Sequence, residues 1–191
     1  MKELTLQDRK DFLNQIMSNT DILLNEFYDL RLVTQIYDWQ TVWNVSTNSW
    51  YRYTVAFHNK LDYNRCPRLG EFQTIKKLCE DLISPRFTKT TRVRVLFSVI
   101  KPCIVTIDAH VHGWADDTDP DTFIMHLPLA LPPGFRFCVN NNWFTPESGK
   151  LFGFRATDLH GLEFTGNMER VHLLMTFDMD WEEALKPYIH E

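Results

Sequence analysis

The spacing of apolar positions changes character along the chain, and the changes mark the elements. Over the first thirty residues apolar side chains recur at helical spacing, with Leu6, Phe12, Leu13, Ile16 and Met17 on one stripe and Ile22, Leu23, Leu24, Phe27 and Leu30 on a second. Thr5 is placed to cap the first helix, and Asn19-Thr20-Asp21 breaks and recaps the chain between the two. From Gln40 to Phe57 the run turns β-branched and aromatic through Trp43, Val45, Trp50, Tyr51, Tyr53, Val55 and Phe57. It predicts a strand, or a hairpin turning at Ser46-Thr-Asn-Ser49. Asn59 to Arg68 reads as a loop closed by Cys66-Pro67. Helical spacing returns over 71–83 through Phe72, Ile75, Leu78, Cys79 and Leu82, until Ser84-Pro85 ends it.

After Thr88 no long helical pattern occurs before the final dozen residues. Short apolar runs take its place at 91–99, 104–110, 122–130, 134–139, 150–154, 161–164 and 170–179, punctuated by Leu131-Pro-Pro-Gly134, Asn140-Asn-Asn142 and Pro146-Glu-Ser-Gly149. Strands of this length and spacing, preceded by amphipathic helices, predict a mainly β sandwich or jelly roll with N-terminal packing helices. At 191 residues the chain has room for one full hydrophobic core. We expect a single domain, with 1–88 as helical and edge-strand support and 89–181 as the β core.

Composition narrows the classes. Apolar and charged fractions of 44% and 24% are ordinary for a globular protein, which sets aside disorder and fibrous architectures. A net charge of −5 argues against a nucleic-acid partner, because phosphate neutralisation needs a basic face. The longest apolar runs are too short to span a bilayer, and the charged N-terminus is unlike a signal peptide. We therefore expect a cytoplasmic protein with no membrane partner. Cys66, Cys79, Cys103 and Cys138 are widely and irregularly spaced, which predicts reduced, mostly buried thiols.

The candidate chemistry lies in Thr106-Ile-Asp-Ala-His110-Val-His112-Gly. Two histidines two apart on an extended segment point to the same side, a ready pair of metal ligands. His160 lies fifty residues on, and Arg170 opens the apolar run that follows it. A histidine pair on one strand with a distant third can present three facial ligands at a barrel mouth and leave positions open. Either the triad is all histidine, or Asp108, Asp116 or Asp117 supplies a carboxylate, or His112 stands outside the ligand set and water completes it. The acidic run Asp116-Asp117-Thr118-Asp119-Pro120-Asp121 lacks the EF-hand register and reads as a solvated loop at the mouth. Trp114, Trp143 and Phe154 are candidates to line that mouth.

In order along the chain come Phe97-Ser98-Val-Ile-Lys-Pro102, Ile107-x-x-His110, Met125-His126-Leu127, Glu147-x-Gly149-Lys150, His160, and Arg170-Val-His-Leu-Leu-Met-Thr-Phe177-Asp178. This series, over about residues 91 to 181, resembles the aspartyl/asparaginyl β-hydroxylase family and is similar to bacterial free-proline hydroxylases of the same superfamily. The resemblance implies a double-stranded β-helix, cupin-like in architecture, and an Fe(II)/2-oxoglutarate oxygenase that uses O2. It implies that His110 and His160 bind iron, that Arg170 pairs with the distal carboxylate of 2-oxoglutarate, and that His126 and Ser98 contact the same co-substrate. A guanidinium suits that task because it matches a carboxylate fork and stays charged when buried.

The expected substrate is an amino acid, a peptidyl residue or another small polar molecule. Three features depart from the family pattern: the spacing between Ser98 and His110 is slightly longer than in the mammalian-type enzymes, so that His112 could equally be the proximal ligand with His110 displaced by a bulge, and two single positions differ. Ile124 stands where some members carry an arginine, and His112 occupies a position that is aspartate in one branch and a non-ligating glycine in another. His172 is read as a core histidine. The competing functions are a cupin-like three-histidine dioxygenase without 2-oxoglutarate, and a non-catalytic β-sandwich binding module.

Overall fold

The structure, a computed structural model, describes residues 3–34, 37–38, 50–90, 92–112 and 119–191. The expected turn at 46–49, and Trp43, Val45, Trp114, Asp116 and Asp117, lie outside them.

The N-terminal helices form as their stripes predict. Helix α1 spans Leu6–Ser18, and Thr5 and Asp8 close a reciprocal capping box at its start. Helix α2 spans Thr20–Leu30. Helix α3 runs over Gln73–Ile83, two residues later than its apolar stripe suggests, because a 3-10 turn takes Leu69–Glu71. Phe72 cannot cap α3, so the Glu26 carboxylate on α2 accepts from the Thr74 and Ile75 backbone N–H groups at 3.0 and 2.9 Å. Among the described residues no helix is long and apolar enough to cross a membrane.

Eleven strands are described: β1 Tyr37–Asp38, β2 Trp50–Phe57, β3 Lys60–Leu61, β4 Arg94–Ile100, β5 Cys103–His110, β6 Thr122–Ala130, β7 Phe135–Val139, β8 Asn142–Phe144, β9 Phe152–Arg155, β10 His160–Gly166 and β11 Arg170–Asp178. They pair into two sheets. The larger has the order β1-β2-β4-β11-β6-β9 with β3 beside β2, and the smaller has the order β5-β10-β7-β8. Two facing antiparallel sheets whose strands cross between them make a mainly β jelly roll, the double-stranded β-helix, with helices at the N-terminus. Helix α4, Glu182–Leu185, follows the last strand.

Two short strands fall where loops or turns are expected. Phe57 pairs with Lys60, so His58 and Asn59, both at positive φ, make a two-residue hairpin turn. Asn140 and Asn141, also at positive φ, turn the chain from β7 into β8.

Strand alternation divides the core. Phe97, Met125, Leu173, Met175 and Phe177 face the helices, where Phe27 of α2 stacks on Phe97 at 4.4 Å. The opposite face of the same strands presents Ser98, Ile124, His126, Arg170 and His172 to the barrel interior. There they meet Ile107, Phe137, Phe154, His160 and Leu162. The helices thus cover one face of the larger sheet and leave the other to the site. Asp178, at the end of β11, accepts from Thr88 Oγ1 and the Lys89 and Asp180 backbone N–H groups, so its work is to tie the strand end to the preceding loop. The cysteines are all free, three of them buried.

Candidate functional site

Strand β5 carries His110 inward only because it is irregular. His110 pairs with His160 and Ile107 with Leu162, so one extra residue of β5 is accommodated opposite Gly161. Without that bulge, Ile107 and His110 would face opposite ways. Gly161 permits it, because a Cβ there would press against the Ile107 carbonyl oxygen and the Ala109 nitrogen. Beyond the strand, the His112 backbone N–H donates to the Ala156 carbonyl at 2.9 Å, which holds that histidine beside the β9–β10 turn.

His110, His112 and His160 converge as a result. Their ring centroids lie 4.4, 4.8 and 5.3 Å apart, and their candidate ligand atoms fall within 4.8 Å of one another. An ion holding each nitrogen at about 2 Å would draw the three side chains closer together. His110 Nδ1 lies 2.9 Å from the Asp108 carbonyl, and His160 Nδ1 lies 2.9 Å from the Asp158 carbonyl. A carbonyl only accepts, so both Nδ1 atoms carry the proton, and Nε2 is the ring atom that can offer a lone pair to a metal. Burial pulls the His160 imidazole down to about 3, with His110 adding to the fall and the Asp158 carbonyl opposing it. Burial, then His160, His110, Arg52 and Arg94, pull His112 down to about 2. Neutral imidazoles are the form that ligates. The donor set therefore fits a divalent first-row metal, an open three-nitrogen site suited to iron among others. Among the described residues no carboxylate joins this cluster. The Asp108 side chain is exposed, and what Asp108 contributes is its carbonyl.

The same cavity reaches from the three histidines to Trp50, Ser98, His126 and Arg170. Arg170 is only 1% exposed. Its Nη2 donates to Ser98 Oγ at 2.8 Å and its guanidinium lies over the Phe135 ring at 5.1 Å. Its Nε and Nη1 groups have no hydrogen-bond partner among the described residues. No carboxylate lines the cavity among those residues, and burial alone pulls this guanidinium down from 12.5 to about 9. A buried cation without an acid of its own is a costly arrangement, and an anionic ligand resolves it. Trp50 Nε1 also donates to Ser98 Oγ, at 2.7 Å. Both lone pairs of Ser98 are then taken, and its own hydrogen is left to donate into the cavity. These residues fit the carboxylate of an anionic ligand.

His126 lines the cavity, stacked on Phe152 at 4.9 Å. Burial first, then Arg170, His160 and His112, hold it well below the usual histidine range. Phe154 lines the cavity under His160 at 4.2 Å but is buried in its interior and not at the mouth, and Trp143 lies outside it beneath Arg136 at 5.0 Å. A second cavity adjoins at Arg52, His112, Ile124 and Leu174 and extends to Arg94 and Thr176. Trp50, Arg52 and Arg94 were not singled out as site residues from the sequence; Arg94 reads there, with Arg92, as part of one solvent face, whereas it lines this second cavity. Arg52 and Arg94 fall on the barrel-facing parity of their strands, the one signal that could have marked them.

A profile of the family described as aspartyl/asparaginyl beta-hydroxylase matches residues 17–179. No curated protein matches in sequence. Similar solved structures include AerE from Microcystis aeruginosa, with 9% identity, 69% of this chain and 43% of that chain covered and a TM-score of 0.41. The cupin domain of Schizosaccharomyces pombe Cnp3 shows 10% identity over 55% of this chain and 69% of that one, with a TM-score of 0.38. The DMSP lyase DddQ from Ruegeria pomeroyi DSS-3 shows 11% identity over 46% and 39%, with a TM-score of 0.35. The chain spans less than half the length of AerE and of the lyase, and likenesses this distant do not bear on chemistry. The family match is of another order, since it runs through α2, α3, both sheets and every residue lining the cavity: the chain belongs to the aspartyl/asparaginyl β-hydroxylase family.

Proposed function

We propose that the protein is an Fe(II)/2-oxoglutarate-dependent dioxygenase that hydroxylates an amino acid, a peptidyl residue or a similar small polar substrate. The observation that carries this reading is the buried, acid-free Arg170 in one cavity with three converging histidines. A metal alone would not call for that cation. The overall reaction balances as substrate C–H plus O2 plus 2-oxoglutarate giving substrate C–OH, succinate and CO2.

Bound at His110, His112 and His160, the metal would supply the oxidative chemistry. The chain supplies position. Arg170 and the Ser98 hydroxyl hold the distal carboxylate, and Trp50 holds Ser98 in place. His126 meets the co-substrate from the β6 side. Phe137, Phe154, Ile107 and Leu162 keep water from the inner end. The adjoining cavity past His112, lined also by Ile124, Leu174 and Thr176, offers space for the substrate.

Screening free amino acids and short peptides for succinate release tests the reading. Substrate-dependent succinate equal in amount to hydroxylated product is the expected result. Product formed without 2-oxoglutarate would favour the cupin-like three-histidine dioxygenase. A folded protein that binds neither metal nor 2-oxoglutarate would favour the binding module.

A further inference from the structure

His172 follows Arg170 by two residues on β11 and is completely buried. Its ring lies 5.1 Å from Phe135 and 5.9 Å from Phe152. Its Nδ1 meets His126 Nδ1 at 3.4 Å, while its Nε2 has no hydrogen-bond partner among the described residues. His126 lines the cavity and His172 stands behind it.

Burial, with Arg170 next, holds both imidazoles neutral. Two neutral rings that meet through their Nδ1 atoms share one proton between those atoms. If His126 carried it, His172 would have to carry its own proton on Nε2, as a buried N–H donor among aromatic rings with nothing to accept it. Folded proteins seldom leave a donor in that state, and tolerate a bare acceptor more readily. If His172 carries it on Nδ1, its Nε2 is a lone pair, which also suits the nearby Arg170 cation. His126 must then carry its proton on Nε2, the ring nitrogen not engaged by His172.

We propose that His172 is a positioning residue that locks His126 in its Nε2–H tautomer, making His126 a hydrogen-bond donor to the cavity. The purpose assigned to this lock rests on the 2-oxoglutarate reading above. An anionic co-substrate needs donors, and a lone pair presented by His126 would repel it. With the Ser98 hydroxyl and Arg170, the Nε2–H of His126 completes a donor set in which no acceptor competes.

Long-range 1H–15N correlation spectra of the metal-free protein with 15N-labelled histidine read the tautomers directly, with His126 and His172 assigned through H126Q and H172N. We expect the proton on Nε2 of His126 and on Nδ1 of His172; the reverse pattern overturns the proposal. This result does not depend on which ligand fills the cavity, so a failure of the oxygenase reading is seen separately, as absence of 2-oxoglutarate binding by the wild type. A pair of variants tests the consequence. In H172N the amide nitrogen takes the place of Nδ1 and can still donate, whereas H172L cannot. One hydrogen bond to a charged group predicts about a tenfold or greater loss of 2-oxoglutarate affinity in H172L. H172N should recover most of it, and Mn(II) affinity should be unchanged in both. Equal affinities in the two variants overturn the positioning role. If H172L does not fold, the wild-type spectrum decides.

Discussion

Replacing Arg170 by methionine should make the protein more stable and less able to bind its co-substrate. The guanidinium is 1% exposed, has one hydrogen bond, to Ser98, and faces no acid among the described residues. Its fall from 12.5 to about 9, at 1.36 kcal/mol per pH unit, corresponds to a burial penalty of about 5 kcal/mol. The Ser98 bond and the contact with Phe135 are lost in R170M, and together they offset about 2 to 4 kcal/mol of that. The net expectation is a metal-free variant more stable by about 1 to 3 kcal/mol. For a chain of this size that is a rise in melting temperature of about 2 to 12 °C. Calorimetry near neutral pH, with and without Mn(II) and 2-oxoglutarate, reads both halves. In the wild type, 2-oxoglutarate should add stability beyond that of Mn(II) alone. R170M should start higher and gain nothing further, its affinity lowered by about 3 to 5 kcal/mol. If R170M instead melts well below the wild type and still responds to 2-oxoglutarate, the cation has a structural partner and the argument from its isolation fails.

Three further outcomes follow from the site. G161A should cost about 1 to 3 kcal/mol and weaken Zn(II) binding, because its Cβ meets the Ile107 carbonyl and pushes against the bulge that turns His110 inward; G70A, with open space around it, is the control in urea melts and metal titrations. H110A, H112A and H160A should each lower Zn(II) affinity by more than about 100-fold, beyond the range for outer partners, and an H112A protein that binds normally would remove His112 from the ligand set. Stability of the metal-free protein should fall as pH drops below about 6.5, since the unfolded chain takes up protons there while His126, His160 and His172 stay neutral in the fold. The sign is set by folded values lowered relative to the unfolded ones. For His160 the loss reaches about 2 kcal/mol by pH 5 and continues toward about 3, and His126 and His172 act in the same direction; urea melts that are flat between pH 7.5 and 5 would contradict this.

Much of the architecture could be read from residue patterns because it depends on periodicity. The stripes of α1, α2 and α3 and the apolar runs of β4, β6 and β11 are local signals, and each lies within about three residues of where its spacing puts it. Short strands are another matter. Lys60–Leu61 and Asn142–Phe144 have two or three residues and no period to detect, and only their partners β2 and β7 make them strands. Within the site, His110, His112, His160 and Arg170 could be picked out by residue type and order. That the bulge turns His110 inward could not be, because its cause is Gly161 on the neighbouring strand, and the usual alternation would have turned His110 away from Ile107. His172 was taken for core since an isolated imidazole in an apolar run looks like one. Its contact with His126 forms across the register of β11 and β6, which no local pattern encodes. Trp50 was read as a strand aromatic, and only the pairing of β2 with β4 brings its indole to Ser98.

The central claim is that the three histidines and Arg170 hold a metal and 2-oxoglutarate together in one cavity. Anaerobic absorption titration of Fe(II) into the protein, with and without 2-oxoglutarate, tests it most directly. The account predicts a weak visible charge-transfer band that needs both components and is lost in H160A and, at matched 2-oxoglutarate, in R170M. Fe(II) that binds tightly while 2-oxoglutarate changes nothing in the spectrum or the affinity would contradict it.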